Sequence, residues 1–209
     1  MKLIHPSYFP NIITFSYIMH HDICLEVEDN YQKQTFRNRT YICNDRGKHI
    51  LSIPIIHVGS TNGRQKYKDV TIDNSYPWQR QHWRTLETAY RTSPFFEFYE
   101  DDIKPLYTET FEGLLDFNLK TIETIFECLQ IEMPQLKTEK FEVAPVDQED
   151  YRFLISAKLK PQLDFEPYVQ VFNDRNGFIP NLSILDLLFN VGPNTVDYLN
   201  HEFIIPTND

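Results

Sequence analysis

The alternation of apolar and polar positions divides the chain into short strands and amphipathic helices. Lys2 to His5 reads as a short buried strand that stops at Pro6. Pro6-Ser7-Tyr8-Phe9-Pro10 is irregular, because each proline fixes its own φ and restricts the residue before it. Asn11 is placed to cap a short helix carrying Ile12, Ile13, Phe15, Ile18 and Met19, and Ile23 to Val27 makes a second strand. Two strands around a short helix predict a βαβ opening with a parallel pair. Arg39 to Cys43 and His49 to Ile56, the latter broken by Pro54, flank Asn44-Asp45-Arg46-Gly47 and predict an antiparallel hairpin. Gly59 to Gly63 then reads as a loop and Val70 to Ile72 as a short strand.

Helical spacing takes over from Pro77 to Arg91, with Pro94 marking the exit. Trp83, Leu86 and Tyr90 fall on one face of that helix, and Arg80, Arg84 and Arg91 make a basic stripe on another. Glu97, Glu100, Asp101 and Asp102 sit ahead of the longest helix, whose stripe of Phe111, Leu114, Leu115, Leu119, Ile122, Ile125, Phe126 and Leu129 runs to about Gln130. Residues 132–150 read as a polar connector, and Phe153 to Ile155 as a strand. Leu182 to Asn190 reads as a helix capped by Asn181 or Ser183 and ended by Gly192. The expected fold is α/β: a mixed sheet opening with a βαβ unit plus an antiparallel hairpin, flanked by helices including one long amphipathic helix. One domain over residues 1–209 is the economical organisation.

Composition narrows the setting. No apolar run approaches the roughly 18 residues a membrane span needs, and the first residues lack the pattern of a secretory signal. Cys24, Cys43 and Cys128 are odd in number and widely spaced, which fits a reducing compartment; the expected location is cytoplasmic. A net charge of −10 argues against nucleic acid as a partner. The charge is uneven, however: residues 31–91 carry +7 and the remainder −17. A local excess of this kind can hold a small anion, or it can be ordinary solvated charge on exposed hairpins.

Two constellations carry candidate chemistry. His5, Ser7, Tyr8 and Asn11 lie between a strand and a helix, where Ser7, Asn11 and the first helical N–H groups could face an anion. Arg37 and Arg39, read at period two on one strand, would share a face and clamp a phosphate or carboxylate. The plainer readings are a buried histidine bonded to backbone, and arginines paired with Glu26, Glu28 or Asp29. His20-His21-Asp22 and Glu26-x-Glu28-Asp29 do not converge three ligands at a recognised spacing, so no metal site is expected. Serine-hydrolase, reactive-cysteine and P-loop signatures are absent, and the sequence names no cofactor.

One set of motifs spans most of the chain: His5-Pro6-Ser7-Tyr8-Phe9-Pro10, Phe36-Arg37-Asn38-Arg39, Gly47 with Leu51-Ser52-Ile53-Pro54, Trp78 before His82, and Tyr90-Arg91-Thr92-Ser93-Pro94-Phe95-Phe96. Tyr168-x-Gln170 and Leu182-Ser183-Ile184-Leu185-Asp186-Leu187-Leu188-Phe189-Asn190-x-Gly192 complete it. Together they resemble the WbqC-like proteins. His5 departs from that family's pattern, which places Gln before the first proline, and the 132–165 stretch looks shorter than in longer relatives. The resemblance implies a role in bacterial surface-polysaccharide biosynthesis. On that basis one hypothesis is an enzyme that transfers a group onto a nucleotide-linked or phosphorylated sugar. His5 would be its acid or base, and Arg37 and Arg39, with Arg84, would hold phosphate. The other is a non-catalytic subunit that binds a protein of the same pathway. A strand-loop-helix containing His also looks distantly like nucleotidyltransferase folds, whose His-x-x-His or His-x-Gly-His signature is missing.

Overall fold

The computed structural model of the protein describes residues 1–56, 65–159, 165–200 and 203. The loop expected at Gly59–Gly63 lies outside these residues. The architecture is mixed α/β: a three-stranded parallel sheet, a separate antiparallel hairpin, and helices around both. Strand β1 (Lys2–Ile4) is central, with β2 (Ile23–Leu25) on one side and β5 (Glu149–Asp150) on the other, all parallel. Helix α1 (Ile12–His20) supplies the crossover, so the expected βαβ unit is present. Strand β5 falls where the sequence reads as a connector. Its two acidic residues give no apolar signal, and it is held by backbone bonds from Glu149 N to Met1 O at 3.1 Å and from Tyr151 N to Leu3 O at 3.0 Å. The strand expected at Phe153–Ile155 is a 3-10 helix over Arg152–Ile155, closed by local bonds such as Leu154 N to Tyr151 O.

The hairpin forms as its sequence dictates. Strands β3 (Arg39–Asn44) and β4 (Gly47–Ser52) pair antiparallel, with Asn44 opposite Gly47. Asn44 Oδ1 accepts from Arg46 N at 2.9 Å, and Gly47 takes φ +97°, where a side chain would be strained. The second arm ends at Ser52, because Pro54 cannot donate to a ladder. Ile55 instead makes an isolated bridge to Ile72, so the expected strand at Val70–Ile72 is reduced to bridges.

Helix α2 (Trp78–Tyr90) buries Trp78, His82, Trp83, Leu86 and Tyr90 and leaves Arg80 and Arg84 in solvent. The acids expected ahead of the longest helix lie within a separate helix, α3 (Phe96–Ile103), followed by α4 (Pro105–Thr108), where proline suits a fresh first turn. Helix α5 (Leu114–Leu129) is the longest among the described residues and packs its stripe inward. Short α6 (Asn173–Asn176) precedes α7 (Ile184–Val191), and α8 (Thr195–Leu199) closes the described helices. Ser183 caps α7, and Gly192 ends it at φ +62°, where a Cβ would come within 2.5 Å of the Phe95 ring.

Helix α7 is buried almost throughout, and that burial includes a carboxylate. Asp186 has no exposed surface; Tyr90 Oη donates to it at 2.7 Å, Tyr168 Oη at 2.6 Å and Gln170 Nε2 at 2.9 Å. Burial pushes its carboxyl up, and the three donors oppose that. Asp186→Ala strands three buried donors and should cost about 3 kcal/mol or more, whereas Tyr168→Phe should cost about 1–2 kcal/mol. Denaturant midpoints at unchanged m-value check this ordering, which equal losses would contradict.

Candidate functional site

In an open parallel sheet the crevice forms beyond the carboxyl ends of the strands, where connections leave a central strand in opposite directions. Strand β1 occupies that position here. His5 follows β1 directly, Glu26 follows β2, and Arg152 lies two residues past β5, so all three elements deliver an ionisable group to one end of the sheet.

His5, Asp29 and Arg37 make the inner cluster, and each is buried. Arg37 Nη2 donates to Asp29 Oδ2 at 2.9 Å, and His5 Nε2 lies 3.2 Å from the same oxygen. Arg37 Nη2 is also 2.9 Å from His5 Nε2 and 3.3 Å from Nδ1. Burial pushes His5 down to about 4, and the Arg37 charge adds to that fall against the pull of Asp29. The imidazole is therefore neutral near pH 7, with one nitrogen able to accept a proton. Burial alone would raise Asp29, but the His5 hydrogen bond and the His5 and Arg37 charges outweigh it and hold the carboxyl below its usual range.

A cavity of about 410 Å³ opens on this cluster. Among the described residues, its walls carry Lys33, Arg37, Arg152 and Lys158 against the single carboxylate of Asp29, with Phe141 and Phe153 as apolar sides. The two buried arginines differ in what they have left to offer. Arg152 uses all five N–H groups, on Asp150, Glu26 and the carbonyls of Glu142 and Val143. It ties β2 and β5 to the chain at 142–143. Arg37 Nε and Nη1 are buried and have no hydrogen-bond partner among the described residues. That leaves three N–H groups of a fully buried guanidinium unsatisfied beside a cavity, an arrangement a planar anion suits.

The model of the WbqC-like protein family matches residues 5–161 and 158–198. This chain belongs to the WbqC-like family. An uncharacterized protein of Mycobacterium tuberculosis (strain ATCC 25618 / H37Rv), Rv1507c, is 26% identical to it over 228 residues, covering 96% of this chain and 97% of its own. No solved structure matches the chain.

The WbqC-like chain brings only some of the expected residues to the cavity. His5 and Arg37 line it. Arg37 is not on a strand with Arg39: it sits in the turn before β3, where Asn118 Nδ2 takes its carbonyl at 2.6 Å, and Tyr8 N takes that of Phe36 at 3.0 Å. Arg39 lies off the cavity wall, although both its charge and that of Arg37 act on the Tyr31 hydroxyl. Arg84 is exposed and lines a different cavity with Asn44, His49 and Phe172. Ser7 is buried, and Tyr8 Oη is spent in the core on His82 Nδ1 at 3.0 Å and Tyr107 Oη at 2.7 Å. The start of α1 has no N–H to offer an anion, since Ile12 bonds Leu182 O, Ile13 bonds Asn181 Oδ1, and Thr14 bonds Asn11 Oδ1. The basic segment is likewise partly neutralised: Lys66 and Lys68 pair with Glu28, and Arg91 pairs with Glu87 and Glu100. Asp29 fulfils the plainer expectation of an arginine paired with a neighbouring acid, whereas Arg152, Lys33 and Lys158 carry no motif. Asp29 was reachable from its place just past a parallel strand; Arg152 was not, because β5 has no sequence signal. Among the described residues, no group of three or more His, Cys, Asp or Glu side chains is placed to hold a metal ion.

Burial also lowers His82 to about 4. An unfolded histidine titrates near 6.5, so each buried ring withholds protonation from the folded state and stability falls as pH drops from about 6.5 to 4. Asp186, whose carboxyl is raised, works in the opposite sense. Comparison with His82→Gln isolates the imidazole: the variant should lose up to about 3 kcal/mol of that pH dependence. Parallel stability curves for the two proteins between pH 7 and 4.5 would refute the assignment.

Proposed function

We propose that this WbqC-like protein is a group-transfer enzyme of bacterial surface-polysaccharide biosynthesis that acts in the cytoplasm on a phosphorylated or nucleotide-linked sugar. The observation that carries the reading is the fully buried Arg37 guanidinium, with unsatisfied N–H groups beside the 410 Å³ cavity. A volume in that range suits a mononucleotide or sugar phosphate. Arg37 holds the phosphate, with Lys33 and Lys158 at the exposed rim, and Phe141 and Phe153 give a ring something to stack on. His5 serves as the acid or base, oriented by Asp29, which acts as its positioning residue. Asn11, Tyr8 and Ser7 serve the scaffold in this reading, and Arg39 and Arg84, both off the cavity wall, take no part.

A second reading has its own support. Val143 and Val146 stand 83% and 90% exposed on the segment that Arg152 pins, an apolar surface suited to a protein partner of the same pathway. That reading makes the chain a non-catalytic subunit and predicts no gain in stability from small anions.

Ligand-induced thermal stabilisation separates the two. Inorganic phosphate, a nucleoside monophosphate and a nucleoside diphosphate sugar should each raise the Tm, by an amount equivalent to about 2.7 kcal/mol at a hundredfold excess over Kd. Arg37→Met should abolish the gain, Lys33→Ala with Lys158→Ala should weaken it, and Arg84→Ala should leave it unchanged. Should Arg37→Met fail to fold, the exposed lysine pair still decides the matter. No stabilisation by any of the three compounds would sink the enzyme reading.

A further inference from the structure

We infer that the cavity binds its anion together with one proton, which His5 takes from solvent, so that the occupied site presents an imidazolium as well as a guanidinium. The inference rests on the anion-binding reading of the same cavity and adds to it the protonation state in which the site works.

The geometry sets the condition. One carboxylate, Asp29, serves two potential cations: Arg37 at 2.9 Å and His5 at 3.2 Å, both on its Oδ2. With the cavity unfilled, Arg37 and Asp29 already balance each other, and a charged His5 would put a second positive charge within hydrogen-bond distance of Arg37 Nη2. Among the described residues, no further carboxylate on the cavity wall compensates for that. Arg152 and Asp150, the groups past β5 whose charges reach His5, are paired with each other at 2.6 Å. Arg152 also takes the buried Glu26. The remaining charged side chains on the cavity wall, Lys33 and Lys158, are positive and further oppose an imidazolium.

An anion beside Arg37 reverses this balance. It supplies the negative charge that the cluster lacks and engages the guanidinium that repels the ring. A unit charge about 4 Å away, at an effective dielectric near 20, changes the imidazolium-to-imidazole ratio by about a thousandfold. Starting from a ring depressed to about 4 by burial and by Arg37, a change of that size brings His5 to protonation near neutral pH. One proton enters with the anion and leaves with it, and no bond to the anion is made or broken. The bound state then holds an imidazolium able to act as a general acid, whereas the free site near pH 7 holds a neutral imidazole.

The test uses the whole protein and sulfate, an anion that does not titrate between pH 5 and 8. Calorimetric titration at pH 6.5 in buffers of different ionisation enthalpy should show close to one proton taken up per sulfate. Affinity should rise, approaching tenfold per pH unit, as the pH falls from 7 to 5. In the imidazole NMR spectrum, the His5 resonance, assigned by its loss in His5→Asn, should move to the imidazolium position when sulfate is added at pH 6.5. His82, equally buried but outside the cavity, should not move. His5→Asn should bind sulfate without proton uptake and without the pH dependence; if it does not fold, the wild-type calorimetry decides alone. Arg37-dependent binding of sulfate with no proton taken up overturns this inference and leaves the anion site standing. Failure of sulfate to bind at all overturns both.

Discussion

A guanidinium with no exposed surface has to be provided for, and the provision made for Arg37 draws distant parts of the chain together. Asp29, past β2, meets its charge at 2.9 Å. The Tyr67 ring lies 5.2 Å from Cζ, and the Tyr67 hydroxyl bonds to Pro6 O, in the loop that leaves β1. Asn118, on α5, takes the Arg37 carbonyl and contacts that same hydroxyl. Taking a charge out of water costs several kcal/mol even after relaxation, and removing one partner of a buried pair leaves the other uncompensated. The exits of β1 and β2 and the 3-10 turn at Tyr67–Asp69 are therefore bound to one another through this side chain, and the long helix joins them through the Arg37 carbonyl and the Tyr67 hydroxyl. With part of its hydrogen-bonding capacity left over, the group that organises the fold is also the one suited to a ligand.

How much of this was legible in the sequence depends on the range of the signal. The hairpin, α1, α2 and α7 each carry a local pattern with a turn or cap residue at the right place, and each appears where expected. Strand β5 does not announce itself, since Glu149 and Asp150 have neither apolar character nor β-branching. It exists because the open edge of β1 needs a partner. Phe153-Leu154-Ile155 shows the opposite case: an apolar triplet fits a strand or a buried turn equally well, and tertiary context chose the turn.

The candidate site divides along similar lines. His5 and Arg37 could be picked out as residue types suited to chemistry, and Asp29 as a partner for Arg37 eight positions away; what no local pattern gave is that His5 meets the same carboxylate oxygen. The clamp of Arg37 with Arg39 failed because backbone bonds at Phe36 and Arg37 serve other elements, so the regular strand starts only at Arg39. Counting charge over residues 31–91 overstated the basic surface for a related reason, as Glu28 neutralises two of its lysines from outside the segment. Several residues that carry the family resemblance, including Tyr8, Tyr90, Gln170 and Asp186, turn out to be partners in buried hydrogen bonds. Such motifs report which fold is present and say little about its chemistry.

The two-residue strand β5 has a consequence for how the molecule is made. Lys2 pairs with Glu149 across 147 positions of sequence, so during synthesis β1 is completed only after that whole stretch has followed it. At roughly 5–20 residues per second, that leaves Leu3 and Ile4 beside an unpaired edge for about seven to thirty seconds. Long-range parallel pairing is slow to form and exposed to wrong partners while it waits. Arg152 arrives later still, and with it the last tie between β2 and the segment at 142–143. A nascent or truncated chain ending before residue 149 can hold the βαβ opening but lacks the residues that close the crevice, so a competent pocket requires the chain through the wall residues from Arg152 to Lys158.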